Sequence, residues 1–196
     1  MNSEKVDVIF LLDRSGSMHG SVTDTIGGFN SYIEKQRASE FDTNVTTILF
    51  DHGYEILYKR KNIDEVKELT HNEYYVRGST ALLDAIGRTI TTMEREMDNP
   101  VLFVITTDGY ENSSREYTKN QIRNMIGNLN WEFIYLGADI DSFGEAANIG
   151  IRRDHVANYE KSSEGIDKMF NSLNDATKCM HLEKSISPEW KKSLEE

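Results

Sequence analysis

Val6-Asp7-Val8-Ile9-Phe10-Leu11-Leu12-Asp13-Arg14-Ser15-Gly16-Ser17-Met18 is the stretch around which the chain is organised. It contains an unbroken apolar run, Val8 to Leu12, too continuous for a strand with one wet face. Such a run fits a strand buried on both sides, at the centre of a parallel sheet. The run stops at Asp13, and Ser15, Gly16 and Ser17 follow at once. Open α/β sheets bind their ligands just beyond the carboxyl ends of the strands. One carboxylate and two hydroxyls therefore stand where such a fold keeps its chemistry. All three are oxygen donors, suited to a hard cation such as Mg2+.

Outward from that stretch, Val22, Ile26, Phe29 and Ile33 recur at helical spacing and predict an amphipathic helix over about 21–36. Gly27 and Gly28 inside it cost about 1 kcal/mol each relative to alanine, which points to a close approach to the sheet. Residues 43–50 read as a second strand, 51–53 as a turn, and 54–59 as a half-exposed strand, together a hairpin. Ile63, Val66 and Leu69 suggest a short helical piece. A helix then opens at Leu82, Leu83 and Ile86 and runs to about 97, with Thr80 before it as a candidate N-cap. Residues 101–107, VLFVITT, repeat the design of the first strand: a buried run, then a carboxylate, Asp108, followed by Gly109. Further elements are expected at about 117–129 (helix), 131–138 (strand), 143–149 (helix) and 155–159 (strand), with a closing helix through about 180.

This alternation predicts one doubly wound, Rossmann-like α/β domain over 1–180, with helices on both faces of the sheet. The sheet is expected to be mostly parallel, with 54–59 as one antiparallel edge. Residues 181–196 read as a polar C-terminal tail, interrupted by Pro188 and too poor in apolar residues to pack.

Asp13-Arg14-Ser15-Gly16-Ser17 resembles the Asp-x-Ser-x-Ser signature of von Willebrand factor A (VWA) domains, where it forms the first loop of a metal-ion-dependent adhesion site (MIDAS). Gly78-Ser79-Thr80-Ala81-Leu82-Leu83-Asp84-Ala85 is similar to that family's second metal loop, and Thr107-Asp108-Gly109 to its third, in family order. The resemblance covers about residues 5–180 and implies that Asp13, Ser15, Ser17, Thr80 and Asp108 hold Mg2+, with Mn2+ as a substitute. Two carboxylates and three neutral hydroxyls leave the ion electrophilic and short of a full shell of six oxygens. The resemblance thus implies a non-enzymatic module whose partner protein supplies an Asp or Glu carboxylate, within a multiprotein complex.

Composition bounds this reading. The 196 residues carry a net charge of −11, which argues against nucleic acid as a partner, because phosphate binding needs clustered Lys and Arg. No apolar stretch reaches the roughly 20 residues of a membrane span, so no membrane partner is expected. The N-terminus lacks the basic and apolar regions of a secretory signal, and the single cysteine, Cys179, cannot staple the fold. The expected location is cytoplasmic. The alternative function is a metal-dependent hydrolase or phosphoryl-transfer enzyme using the same strand-end aspartates. It lacks support: the chain has no Gly-x-x-x-x-Gly-Lys phosphate loop and no zinc spacing among its five histidines.

Around the five residues, Glu111 and Asn112 read as polar rim, and Asp84 as either a support for the loops or an exposed helix charge. Asp139 and Asp141 follow the fifth strand and could line the site's edge, but read rather as ordinary loop acids. Arg14, at the variable place in the first motif, is expected to help choose the partner by its charge.

Overall fold

The computed structural model describes residues 4–196, so the first three residues of the 1–180 unit lie outside the described residues. Its strands are β1 (Val6–Asp13), β2 (Thr43–Phe50), β3 (Tyr54–Asn62), β4 (Val101–Thr107), β5 (Glu132–Gly137) and β6 (Val156–Asn158). They form one sheet in the order β3-β2-β1-β4-β5-β6. Only β3 is antiparallel, at one edge. The helices are α1 (Val22–Ala38), α2 (Leu82–Met93), α3 (Lys119–Gly127), α4 (Ser142–Asn148), α5 (Ser163–Glu183) and the short α6 (Lys192–Glu195).

The apolar run of β1 is explained by what lies on its two faces. Val8, Phe10 and Leu12 pack with Phe29 and Tyr32 of α1 and Met169 and Phe170 of α5. Their neighbours Ile9 and Leu11 pack with Leu82 and Ile86 of α2 and Ile122 of α3. Successive side chains point to opposite faces and both faces are covered, so no position is left for a polar residue. β2 on one side and β4 on the other complete the burial of β1. The chain winds away from β1 in both directions, which puts the topological switch point between the carboxyl ends of β1 and β4.

Four local expectations change. The helical piece at 63–69 shrinks to a single 3₁₀ turn, Ile63–Glu65, because Asn62 caps it and Val66 returns to extended backbone. α2 ends at Met93 rather than near 97, shortly before Asn99-Pro100. Gly28 does meet a close neighbour, but that neighbour is α5: an added Cβ would lie 2.3 Å from the Phe170 ring. Gly27 faces open space.

The fourth change is the tail, which packs despite its composition. α5 runs on to Glu183, and Lys184 reverses the chain in the left-handed region (φ 58). Ile186 and Trp190 are then buried, and the Trp190 indole donates to Asp154 O at 2.9 Å. Lys191 Nζ donates to Val156 O at 2.9 Å and also bonds Arg153 O. One large aromatic and one lysine are enough to seat the segment beside β6, the short strand at the sheet's second edge. Among the described residues no helix is long and apolar enough to cross a membrane.

Candidate metal centre

β1 and β4 deliver Asp13 and Asp108 to the two sides of the switch point, and the loop before α2 brings Thr80 over them. The three loops interlock through their backbones: Gly16 N donates to Gly78 O, Arg77 N to Arg14 O, and Asn112 N to Thr80 O. Ser15 Oγ and Ser17 Oγ lie 3.2 Å apart, and Ser17 Oγ donates to Asp108 Oδ1 at 2.5 Å. Gly109 leaves the centre open: a Cβ there would stand 3.1 Å from Thr80 Oγ1, 3.4 Å from Ser17 Oγ and 4.0 Å from Ser15 Oγ. Ser15, Ser17, Thr80 and Asp108 therefore converge on one point. Thr80 is not a helix cap, since Ala81 occupies that place and makes no side-chain cap bond.

Asp13 sits beneath this group, fully buried. Its Oδ1 accepts Ser15 N and its Oδ2 accepts Thr107 Oγ1, both at 2.7 Å, and among the described residues no cationic side chain pairs with it. Burial pushes its carboxyl up to about 6. The hydrogen bonds from Ser15 and Thr107 oppose that rise, and the nearby Asp108 charge adds to it. A buried carboxylate supplied only with neutral donors is short of positive charge, which is the condition a cation site requires. Among the described residues no three His, Cys, Asp or Glu side chains gather into a metal cage. Any ion here would rely on hydroxyl oxygens, and that donor chemistry fits a hard divalent cation.

The flanking residues act differently from their reading as rim. Asn112 Oδ1 accepts Thr80 N at 2.9 Å, so Asn112 fixes the threonine from side chain and backbone together. Glu111 accepts Leu83 N, Ser113 N, Ser114 N and Ser114 Oγ, tying the loop after β4 to the start of α2. Asp84 is buried and accepts the amides of Arg115, Glu116 and Tyr117, the supporting role rather than the exposed one. Asp141 caps α4 by accepting Gly144 N.

Arg14 reverses its expectation. Its side chain is turned inward and buried, donating to Asp51 Oδ2 at 3.1 Å, Glu55 Oε2 at 2.8 Å and Glu73 O at 3.1 Å. Asp51 and Glu55 lie about forty residues downstream on the β2–β3 hairpin, so nothing near Arg14 in the sequence announces them. Burial alone would raise the Asp51 carboxyl. Hydrogen bonds from Arg77 and Gly53 N, with the charges of Arg77 and Arg14, outweigh it and hold the group below the usual carboxylate range. Arg14 is thus a brace for the first loop and is hidden from any partner.

Two contributors lay outside the sequence reading. Thr107 holds Asp13 and was visible only as the first letter of Thr-Asp-Gly. Lys161, between β6 and α5, donates to Asp108 Oδ2 at 3.0 Å and lies 2.8 Å from Asp139 Oδ2. It belongs to no motif.

The sequence model of the von Willebrand factor type A domain family matches residues 7–175. Among curated proteins nothing matches the sequence. Among solved structures, proximal thread matrix protein 1 from the mussel byssus, with a zinc-occupied MIDAS motif, superposes with a TM-score of 0.68 at 14% identity, over 89% of this chain and 46% of that one. The von Willebrand factor type A protein from Catenulispora acidiphila gives 0.63 at 15% identity, over 89% and 43%. The PilB minor pilin from Streptococcus sanguinis gives 0.65 at 11%, over 88% and 61%. This chain spans less than two thirds of each of these proteins, and at such identities the likeness is one of fold.

Proposed function

The chain belongs to the von Willebrand factor type A domain family, and on that premise we propose that it is a metal-ion-dependent protein-binding module. The observation that carries the reading is the contrast inside the site: three hydroxyls and Asp108 converge, while buried Asp13 is held, among the described residues, by neutral donors. Asp13, Ser15, Ser17, Thr80 and Asp108 would hold a divalent cation, Mg2+ on the chemistry of an all-oxygen donor set, with Mn2+ as a substitute. Once bound, the ion supplies a positive charge able to accept a carboxylate oxygen from a partner protein. The zinc in the MIDAS motif of the mussel protein supports a divalent ion at this place in the fold.

The residues of this chain do the positioning. Asn112 and Glu111 hold Thr80 and the start of α2 in place, Thr107 and Ser15 N orient Asp13, and Gly109 keeps the approach free of side chains. A net charge of −11 repels acidic surfaces in general, so an acidic partner would be attracted only at the metal. The family's usual role as an interaction module favours binding over catalysis.

Two measurements test the proposal. Calorimetric titration with Mg2+ should give binding in the wild type and none in Asp108→Ala. Partner proteins captured on the immobilised chain in Mg2+ should be released by EDTA, and Asp108→Ala should capture none of them. Equal capture in EDTA would place the interface elsewhere.

A further inference from the structure

Lys161 stands inside the proposed metal site, and its geometry gives it two resting places. Its ammonium donates to Asp108 Oδ2 at 3.0 Å and lies 2.8 Å from Asp139 Oδ2. The two carboxylates differ in setting: the Asp108 side chain is fully buried, whereas that of Asp139 is 70% exposed at the rim. The segment that carries the lysine is tied down on both sides. Tyr159 N donates to Gly137 O, tying the segment after β6 to the end of β5, and Ser162 caps α5 by accepting Gly165 N. Asp139 itself adopts left-handed backbone (φ 57), a conformation that aspartate tolerates better than most residues.

Both oxygens of Asp108 are therefore engaged, Oδ1 by Ser17 and Oδ2 by Lys161. Asp108 is one of the two carboxylates in the proposed ligand set. A metal drawn to it meets a positive charge already in contact with the same group, and like charges at that range repel strongly in a partly buried setting. We propose that Lys161 is a tethered competitor that sets the metal affinity of this site: loading a divalent ion obliges the ammonium to leave Asp108 and rest on Asp139 alone. Asp139, an ordinary loop acid on the sequence alone, then has a specific task, because it offers the displaced lysine a second carboxylate. The inference rests on the reading of Asp13, Ser15, Ser17, Thr80 and Asp108 as the metal site.

The test is calorimetric titration of the full chain with MgCl2 and with MnCl2, with circular dichroism as a check on folding. Lys161→Met should bind both ions more tightly than the wild type, by about tenfold, from removal of one partly screened charge. Lys161→Arg keeps the charge and should stay within about threefold of the wild type, on the same reasoning. Asp139→Asn should bind more weakly, since the lysine then has only Asp108. In the Lys161→Met background the same substitution should have little effect, and that non-additivity is the signature of one residue acting through the other. Lys161→Gln serves as a second neutral variant if Lys161→Met fails to fold. If the wild type binds metal, Asp108→Ala does not, and the neutral lysine variants bind equally or more weakly, the competitor role is overturned while the site stands. If neither the wild type nor the neutral variants bind either ion, the metal site itself is refuted and this role with it.

Discussion

β1 carries a buried aspartate at each end, and the two are handled in opposite ways. Asp7, at the start, is gripped by Arg60 from the edge strand: Nε donates to Oδ1 at 3.1 Å and Nη2 to Oδ2 at 3.0 Å, with Asn99 adding a bond of 2.8 Å. Asp13, six residues on, has one amide, one hydroxyl and, among the described residues, no cation. The strand is equally buried at both positions, so burial alone does not distinguish them. The partners do. A bidentate arginine closes a carboxylate's account of charge and turns it into structure. A carboxylate left with neutral donors keeps its demand for a cation. Asp51, at the end of β2 on the same side as Asp13, belongs with Asp7, since Arg14 and Arg77 both hold it.

The largest expected effect that would break this contrast is at Asp7. Asp7→Ala removes the bidentate partner of Arg60, which keeps Asp98 and Glu96 O, and takes away the bond of Asn99 Nδ2; it should destabilise the fold by about 3 kcal/mol, read by urea unfolding. Loss below about 1 kcal/mol would mean that Asp7 is no more structural than Asp13. Next comes the response to metal. At a hundredfold excess over Kd, Mg2+ should stabilise the wild type by about 2.7 kcal/mol and leave Asp13→Asn unchanged, as seen in thermal melts. The third test removes charge alone. In metal-free buffer at pH 7, Asp13→Asn should gain about 1–2 kcal/mol, because an uncompensated buried charge goes while the amide still bonds Ser15 N and Thr107. A destabilised Asp13→Asn would show the charge already satisfied. The smallest effect is a slope. The Asp51 carboxyl is depressed in the fold, so its contribution is present above about pH 4 and is lost as pH falls through the lower folded value. Asp51→Asn should be less stable than the wild type at pH 7 and lose less stability than the wild type as the pH falls below about 4. Parallel pH profiles would remove Asp51 from the arginine-held class.

How legible these residues were in the sequence follows from how far each depends on distant partners. β1 and β4 could be read directly, because burial on both faces leaves an apolar run and the carboxylate after it marks the strand end. Thr80 and Asp108 were reached through loop motifs; in the fold Asp108 accepts Ser17 Oγ, and Thr80 Oγ1 lies with Ser17 Oγ around Gly109. Arg14 was misplaced because its carboxylates lie on the β2–β3 hairpin, and only the register of β1 against β2 sets them beside it. Lys161 was invisible for the same reason: its position depends on β5 and β6 pairing beside β4. Trp190 was passed over because one aromatic in a charged segment has no periodicity to detect, yet a single indole can anchor a short tail.

The bracing of the metal loops has a consequence for the thermodynamics of recognition. Arg14 pins the first loop, Asn112 the second, and Asp84 receives three successive amides of the segment after the third. Loops held in this way have little conformational freedom left to lose, so a ligand meets them already ordered. Capture of an ion should then leave the backbone conformation of 13–18 and 110–117 nearly unchanged. It should also bury little apolar surface, and the heat-capacity change on loading should be close to zero.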